Sequence, residues 1–255
     1  ELPGFPFTNE QSSGGYLGLG VLAIWLCRRH LRGVWRAILG RPGAVDDSDE
    51  PLRYRTTFIL FVLCFLFLVG SGVALGASLG VMVVFFILFF LYSLAIARMR
   101  AELGPPAHDL HYSGPETLIH NALGSRALGG ANLGTFTLFY WFNRAYRAHF
   151  SAHDIEGFKI AQLYRIHSRS ILKAMMIAVV VGALAAFWAL LHLLYVHGYA
   201  GRPCGDGFAA EGWTRMSGWM SVPREASPAK VFATGAGFLF ALFLGFMRTR
   251  FIWWV

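Results

Sequence analysis

Long apolar blocks without a charged residue most restrict what this chain can fold into. The two clearest blocks, residues 58–77 and 79–97, contain no Asp, Glu, Lys or Arg. A helix needs about 20 mostly apolar residues to cross the hydrocarbon core of a bilayer. Blocks 174–196 and 231–247 meet or approach that length. Because backbone polar groups in lipid must be satisfied within a helix, the sequence predicts an all-α integral membrane bundle.

The composition excludes a water-soluble fold and gives no support to nucleic-acid binding. Hydrophobic residues make up 56% of the chain and charged residues 14%, against about 25% charged residues in soluble domains. The formal net charge is +8. The basic residues lie almost wholly between the apolar blocks, so we interpret them as topology signals and contacts with lipid headgroups. No nucleic-acid partner and no cofactor are expected.

Two weaker apolar segments complete the predicted topology. Residues 12–28 are short and glycine-rich, and we interpret them as a further crossing. Residues 127–142 are apolar over only 16 residues, a length that favours a re-entrant or interfacial segment. The prediction is therefore a single polytopic membrane domain over 1–255, with about five transmembrane helices and one partial segment.

The distribution of basic residues predicts which loops face the cytoplasm. Loop 28–57 carries seven Arg and loop 98–173 carries nine Lys or Arg, whereas loop 198–230 carries four, with three acids. The positive-inside rule then makes the first two loops cytoplasmic and the third an irregular external cap. The N-terminus lies outside and the C-terminus in the cytoplasm of a bacterial inner membrane. Both ends are abrupt, so we expect a fragment of a longer protein.

Charged and polar groups near the ends of apolar segments are the candidate site residues. On a continuing helix, Arg98 and Glu102 are i,i+4 partners, with Arg100 between them. Charges at membrane depth tend to lie on ion or substrate pathways, which makes Glu102 a candidate proton site. The alternative is a snorkelling cluster at the membrane boundary. Asn143 and Arg144 either line a substrate path or belong to an aromatic belt.

Metal binding and catalysis find little support in the sequence. His108 and Asp109 form one cluster and His149 and His153 another, but neither has the Glu of an H-E-x-x-H zinc motif. We expect polar loop histidines and no metal; a membrane metalloenzyme is the lesser alternative. No nucleophile elbow, phosphate-binding loop or dinucleotide fingerprint occurs, so no catalytic residue is predicted.

A resemblance to a known family rests on the order of several short motifs. Among them are Arg98-Met-Arg-Ala-Glu102, Pro106-Ala-His-Asp109, Trp141-Phe-Asn-Arg144, Glu156-Gly-Phe-Lys159 and Phe187-Trp-Ala-Leu-Leu-His192. The whole chain resembles the C-terminal part of a family of large, uncharacterised bacterial membrane proteins that look like relatives of the oligopeptide transporter (OPT) superfamily. The resemblance implies proton-coupled uptake of peptides or metal chelates, with a site between helices near the membrane midplane.

Two main functional hypotheses remain open at this point. The first is a proton-coupled secondary transporter of small peptides or related solutes, in which the discontinuous segment 116–142 and the 98–102 cluster form the path. The second is a non-transporting structural or accessory subunit of a larger membrane complex. The expected partners are membrane lipids, the remaining segments of its own chain, and either further copies or a larger membrane complex.

Overall fold

The computed structural model is entirely helical over the residues it describes, which are 4–104, 110, 113–146, 149–198, 207–251 and 253. These residues form eight α-helices and no β-strand, so the prediction of an all-helical fold is confirmed. In chain order the helices are α1 (Thr8–Ile38), α2 (Tyr54–Ala74), α3 (Leu79–Leu103), α4 (Pro115–Asn143), α5 (Phe150–Leu163), α6 (Ser168–His197), α7 (Gly207–Ser221) and α8 (Pro228–Arg250).

Four of these helices, α2, α3, α6 and α8, are long and apolar enough to cross a membrane. Helices α3, α6 and α8 contain the predicted blocks 79–97, 174–196 and 231–247, whereas α2 begins before the predicted block 58–77 and ends three residues short of it. These helices indicate a membrane-embedded protein. The weaker predicted crossing, 12–28, lies within α1, which is longer than predicted and continues through several Arg residues.

Helix α1 joins the bundle through close packing against α8. The two helices run in the same direction, with Gly14 beside Thr234 and Gly18 beside Phe238. A Cβ atom at Gly14 would overlap the carbonyl oxygen of Thr234. Small residues at such positions let two helix backbones approach closely, which is the usual basis of helix association in lipid.

Helix α3 lies in the centre of the bundle and contacts α1, α2, α4 and α5. Its buried residues Met82, Phe85 and Phe86 pack with Leu133 and Phe136 of α4. The rings of Phe85 and Phe136 stack with their centroids 5.7 Å apart. This apolar cluster fixes α4 against the central helix.

Helix α4 is interrupted by two glycines with non-helical backbone angles. Gly124 has φ 79° and Gly129 has φ 71°, in the region that side-chain-bearing residues rarely adopt. A Cβ atom at Gly124 would also collide with the backbone that follows α7. The partial segment predicted at 127–142 is therefore only the second half of a longer, broken helix. Sequence hydropathy missed the first half because it is polar.

The second half of α4 continues into α5 alongside α3. Successive contacts link the two along the length of α3: the Ser78 amide with Asn132 (2.8 Å), the rings of Phe89 and Phe142 (5.5 Å), Ser93 with Ser151 (3.1 Å), and Arg100 with Glu156 (2.6 Å). The described residues of 132–146 and 149–156 thus follow α3 along most of its length; α4 ends at Asn143 and α5 begins at Phe150. The predicted loop 98–173 contains both α4 and α5.

The prediction that 198–230 is an irregular loop is wrong, because Gly207–Ser221 form helix α7. Its Met216 and Met220 methyl groups face the α4 positions Gly134 and Gly130, where the absence of side chains leaves room. The segment after α7 bonds to the interrupted turn of α4, with Arg224 donating to Ser125 at 2.9 Å. The helical periodicity of α7 was hidden in the sequence by the glycines and prolines around it.

Candidate functional site

A buried carboxylate, Glu116, lies at the start of α4. Its side chain is 2% exposed. The preceding Gly114-Pro115 begins the helix, since proline suits the first helical position and an acid in the first turn complements the helix dipole. A Cβ atom at Gly114 would overlap Glu116 and Asn143. The glycine therefore allows the two ends of α4 to approach each other.

Three side chains hold the Glu116 carboxylate. The Asn143 amide donates to Oε2. Both terminal nitrogens of Arg215 donate to Oε1 at 3.3 Å, and the Thr117 hydroxyl donates to the same oxygen at 3.3 Å. A buried carboxylate requires such partners because an unpaired charge away from water is costly. Glu116 therefore joins the start of α4, the end of α4 and α7.

Arg215 is held in place by aromatic rings as well as by the acid. Its guanidinium carbon lies 4.6 Å from the ring centroid of Tyr140 and 4.9 Å from that of Trp219. One terminal nitrogen also donates to the Thr117 hydroxyl at 3.1 Å. Cation–π contacts of a partly desolvated guanidinium are favourable and directional. Arg215 is thus positioned by groups from both α4 and α7.

A second acid on α7 completes a charge-balanced group. Glu211 accepts from the Tyr140 hydroxyl at 2.6 Å and from Arg144 Nε at 2.7 Å. The side chains of Glu211 and Arg144 are 21% and 19% exposed. We call Glu116, Glu211, Arg144 and Arg215 the charge quartet. The two negative and two positive charges of the quartet balance, which lowers the desolvation free energy of placing these side chains in an apolar bundle.

The charge quartet lies near the middle of the central helix. Asn143 accepts from the Tyr146 hydroxyl at 2.7 Å, and the ring of Tyr146 lies 6.0 Å from that of Tyr92 in α3. Tyr92 in turn bonds to Ser13 of α1. At 1.5 Å per residue, Tyr92 is about 20 Å from the start of α3 and about 17 Å from its end. The buried acid at the start of α4 and the end of α4 at Asn143 therefore meet at mid-length of a helix that is long enough to span a bilayer. The breaks at Gly124 and Gly129 lie toward the start of α3, where Asn132 accepts from the Ser78 amide.

His120 extends this polar group by one turn of α4. Its ring stacks on Trp219 with the centroids 4.6 Å apart. Its Nε2 atom is enclosed and has no hydrogen-bond partner among the residues that the structure describes. The same indole ring therefore contacts both Arg215 and an imidazole whose Nε2 has no partner among the described residues.

Comparison with known proteins gives a family for this arrangement. The family model described as a family of unknown function, DUF6785, matches residues 1–255. The chain belongs to this family. No curated protein and no solved structure matches it. The DUF6785 match shows no link to the OPT superfamily, so that relationship stays a prediction.

The candidate residues predicted in this DUF6785 chain fall into two separate groups. Asn143 and Arg144 lie in the site, where they bond Glu116 and Glu211 respectively. Arg98, Arg100 and Glu102 lie at the far end of α3, so Glu102 is about 15 Å along the helix from Tyr92.

The charged cluster at the end of α3 joins neighbouring helices. The predicted i,i+4 pair of Arg98 and Glu102 forms at 2.7 Å. Glu102 also pairs with Arg248 of α8 at 3.2 Å, and Arg100 pairs with Glu156 of α5 at 2.6 Å. Because Glu102 is 38% exposed, its geometry fits a boundary cluster better than a buried proton site.

The candidate metal ligands have other contacts or lie outside the described residues. His149 Nε2 is 2.5 Å from the Ser93 hydroxyl, and His153 Nδ1 is 3.8 Å from Glu156. His108 and Asp109 belong to a segment that the structure does not describe. In the described ranges, no three or more His, Cys, Asp or Glu side chains are grouped to hold a metal ion.

Sequence reasoning missed Glu116, Glu211 and Arg215, although each leaves a trace. Glu211, Arg215 and Trp219 recur every four residues, which places them on one face of a helix. Glu116 follows a Gly-Pro pair, a common start of a helix in which an early acid is favoured. What the sequence does not contain is the pairing, since Glu116 and Arg215 are 99 positions apart.

Proposed function

We propose that this chain forms part of a proton-coupled secondary transporter of the bacterial inner membrane, with small peptides or related solutes as substrates. The observation that carries the proposal is that the two ends of the interrupted helix α4 meet around buried Glu116 at mid-length of α3. Discontinuous helices place ion and solute sites near the membrane midplane in many transporters. Ionisable side chains in such positions are rare and usually functional.

In the proposed mechanism, Glu116 carries the proton and Arg215 responds to it. While Glu116 is ionised, Arg215 is its counter-ion at 3.3 Å. Protonation of Glu116 removes that counter-charge and leaves the guanidinium ready for a carboxylate of the solute. A guanidinium binds carboxylates well because its geometry allows two parallel hydrogen bonds. Proton binding and solute binding would thereby favour the same state, which is the requirement for coupling.

The charge quartet also supports a zwitterionic solute such as a peptide. Arg215 and Arg144 could bind a terminal carboxylate, and Glu211 a terminal ammonium group. The predicted OPT kinship points to the same substrate class. In this proposal the end of α3 that carries Arg98 and Arg100 faces the cytoplasm, as the positive-inside rule predicts. The N-terminus is then outside and the C-terminus cytoplasmic.

The test is uptake of labelled trialanine and tetra-alanine by the full-length protein in liposomes, with and without an imposed proton gradient. We expect gradient-driven uptake, and we expect Glu116→Gln to reduce the rate of that uptake at least tenfold. The matched control is Glu225→Gln, which alters an exposed pair with Arg126. Glu102→Gln tests the acid that the sequence favoured.

The outcomes of this experiment separate the candidates clearly. Loss of gradient dependence in Glu116→Gln alone, with Glu225→Gln and Glu102→Gln active, supports the proposed proton site. Full gradient-driven uptake by Glu116→Gln rejects it. Loss in Glu102→Gln alone would move the proton site to the end of α3.

An accessory subunit remains the second candidate because of α6. No residue of its 30-residue length is buried, which leaves it free to pack against a partner protein. Purification of the native complex distinguishes the two. A stoichiometric enzyme partner together with no uptake of either peptide would favour the accessory role.

A further inference from the structure

An open groove of about 650 Å³ separates the beginnings of α2 and α6. Its polar rim carries three cations, Arg53, Arg169 and Lys173, and its lining has no carboxylate. Within the described part of the chain, none of the three takes part in an ion pair. Three unpaired cations around one groove produce a strong local attraction for an anion.

Three of the four acids of the preceding loop, Asp46, Asp47 and Glu50, accept hydrogen bonds from nearby groups. The Ser48 hydroxyl and amide donate to Asp46, and these bonds lower the pKa of the Asp46 carboxyl. Asp47 accepts from the Tyr54 amide at 3.0 Å, and Glu50 accepts from the Tyr54 hydroxyl at 3.1 Å. These carboxylates do not line the groove, so the charge on its rim remains positive.

The apolar part of the groove continues along α6. Leu172, Met176 and Ile177 line it beyond the cations. Met176 is 59% exposed and Ile177 is 64% exposed. Cations at the start of an apolar helix followed by an exposed aliphatic strip match the two parts of a phospholipid, a phosphate and an acyl chain.

We propose that this groove binds an anionic phospholipid, with the phosphate at Arg53, Arg169 and Lys173 and an acyl chain along Met176 and Ile177. Basic pockets between membrane helices are suited to anionic headgroups by charge. The aliphatic strip favours a lipid over free phosphate because apolar contacts would be left unused by an inorganic ion. The inference does not depend on the transport proposal, since the groove is separate from the charge quartet.

The test measures retention of phosphatidylglycerol by the full-length protein in detergent, by native mass spectrometry, against phosphatidylethanolamine with the same acyl chains. We expect phosphatidylglycerol to be retained preferentially. In the variant with Arg53→Gln, Arg169→Gln and Lys173→Gln, we expect its affinity to fall by about fivefold for each cation removed.

Two matched variants keep the test decisive. The first replaces three exposed cations outside the groove, Arg29, Arg41 and Arg250, by Gln, and we expect it to retain the lipid. The second exchanges the groove cations as Arg53→Lys, Arg169→Lys and Lys173→Arg, and we expect it to bind like the parent. Binding by the charge-conserving variant shows that loss in the Gln variant comes from charge rather than from misfolding.

Three results would overturn the proposal. The first is equal retention of phosphatidylglycerol by the parent and the groove Gln variant. The second is an equal loss in the control that lacks Arg29, Arg41 and Arg250, which would indicate a general charge effect. The third is complete displacement of the lipid by millimolar inorganic phosphate, which would make the groove a free-phosphate site.

Discussion

Helices α4 and α6 have nearly the same length, 29 and 30 residues, and almost opposite surroundings. α6 is continuous and has no buried residue, and it is mostly apolar after Lys173. α4 is broken at Gly124 and Gly129 and buries polar side chains, including Glu116 and Asn143. The length and apolarity of α6 make it a candidate membrane crossing. The buried polar side chains of the candidate site belong instead to α4, the helix that is broken.

The physical reason is the hydrogen-bonding requirement of the backbone. A continuous helix satisfies its own amides and carbonyls, so α6 tolerates contact with lipid on every side. The breaks in α4 release backbone groups that other parts of the protein must satisfy. The Ser227 amide donates to the Asn121 carbonyl at 2.9 Å, and the Arg126 amide donates to the Arg224 carbonyl at 3.3 Å. A broken helix therefore has to be buried in protein.

The largest stability effect should follow from unpairing the buried charge. Arg215→Ala leaves Glu116 without its counter-ion, and we expect a loss of about 4 kcal/mol in the free energy of unfolding. Thermal unfolding in detergent measures it. Arg126→Ala removes an exposed pair and should cost less than about 1 kcal/mol. Equal effects of the two changes would show that Glu116 is not a buried charge.

A matched pair of aromatic truncations compares the packing of the two helices. Phe136 in α4 is 1% exposed and Phe187 in α6 is 64% exposed. Phe136→Ala should cost about 3 kcal/mol because it leaves a cavity beside Phe85. Phe187→Ala should change stability by less than about 0.5 kcal/mol. A large effect at Phe187 in the isolated chain would contradict the exposed position of α6.

A glycine substitution in each helix tests the break itself. Gly124→Ala should cost about 2 kcal/mol, since φ is positive there and a Cβ would meet the Arg224 backbone. Gly182 lies inside α6 with open space around its Cβ position. Gly182→Ala should be neutral or stabilise the helix by up to about 1 kcal/mol. Tolerance of Ala at Gly124 would indicate a continuous α4.

The sequence predicted the four clearest spans because hydrophobic length is a local property. It also selected Asn143 and Arg144, which stand at the end of a short apolar segment. It missed Glu116 and Arg215 because their significance comes from a contact between distant parts of the chain. It favoured Glu102 because an i,i+4 pair is visible locally, although the structure places that pair at a partly exposed helix end.

Exposure of the site to alternate sides of the membrane is the most direct test of the account. The full-length protein is prepared with its native cysteines, including Cys27, Cys64 and Cys204, replaced by Ala. Thr117→Cys then reports on the site and Ala185→Cys on the apolar face of α6. A membrane-impermeant thiol reagent is applied from each side of sealed vesicles at several values of internal and external pH.

We expect the cysteine at 117 to react from one side or the other, with the reactive side changing as the proton gradient is reversed. We expect the cysteine at 185 to remain unmodified, because we assign this apolar, unburied stretch of α6 to lipid. A cysteine at 117 that reacts from neither side under any gradient would contradict the account. The interrupted region would then be a closed structural core rather than a gated path.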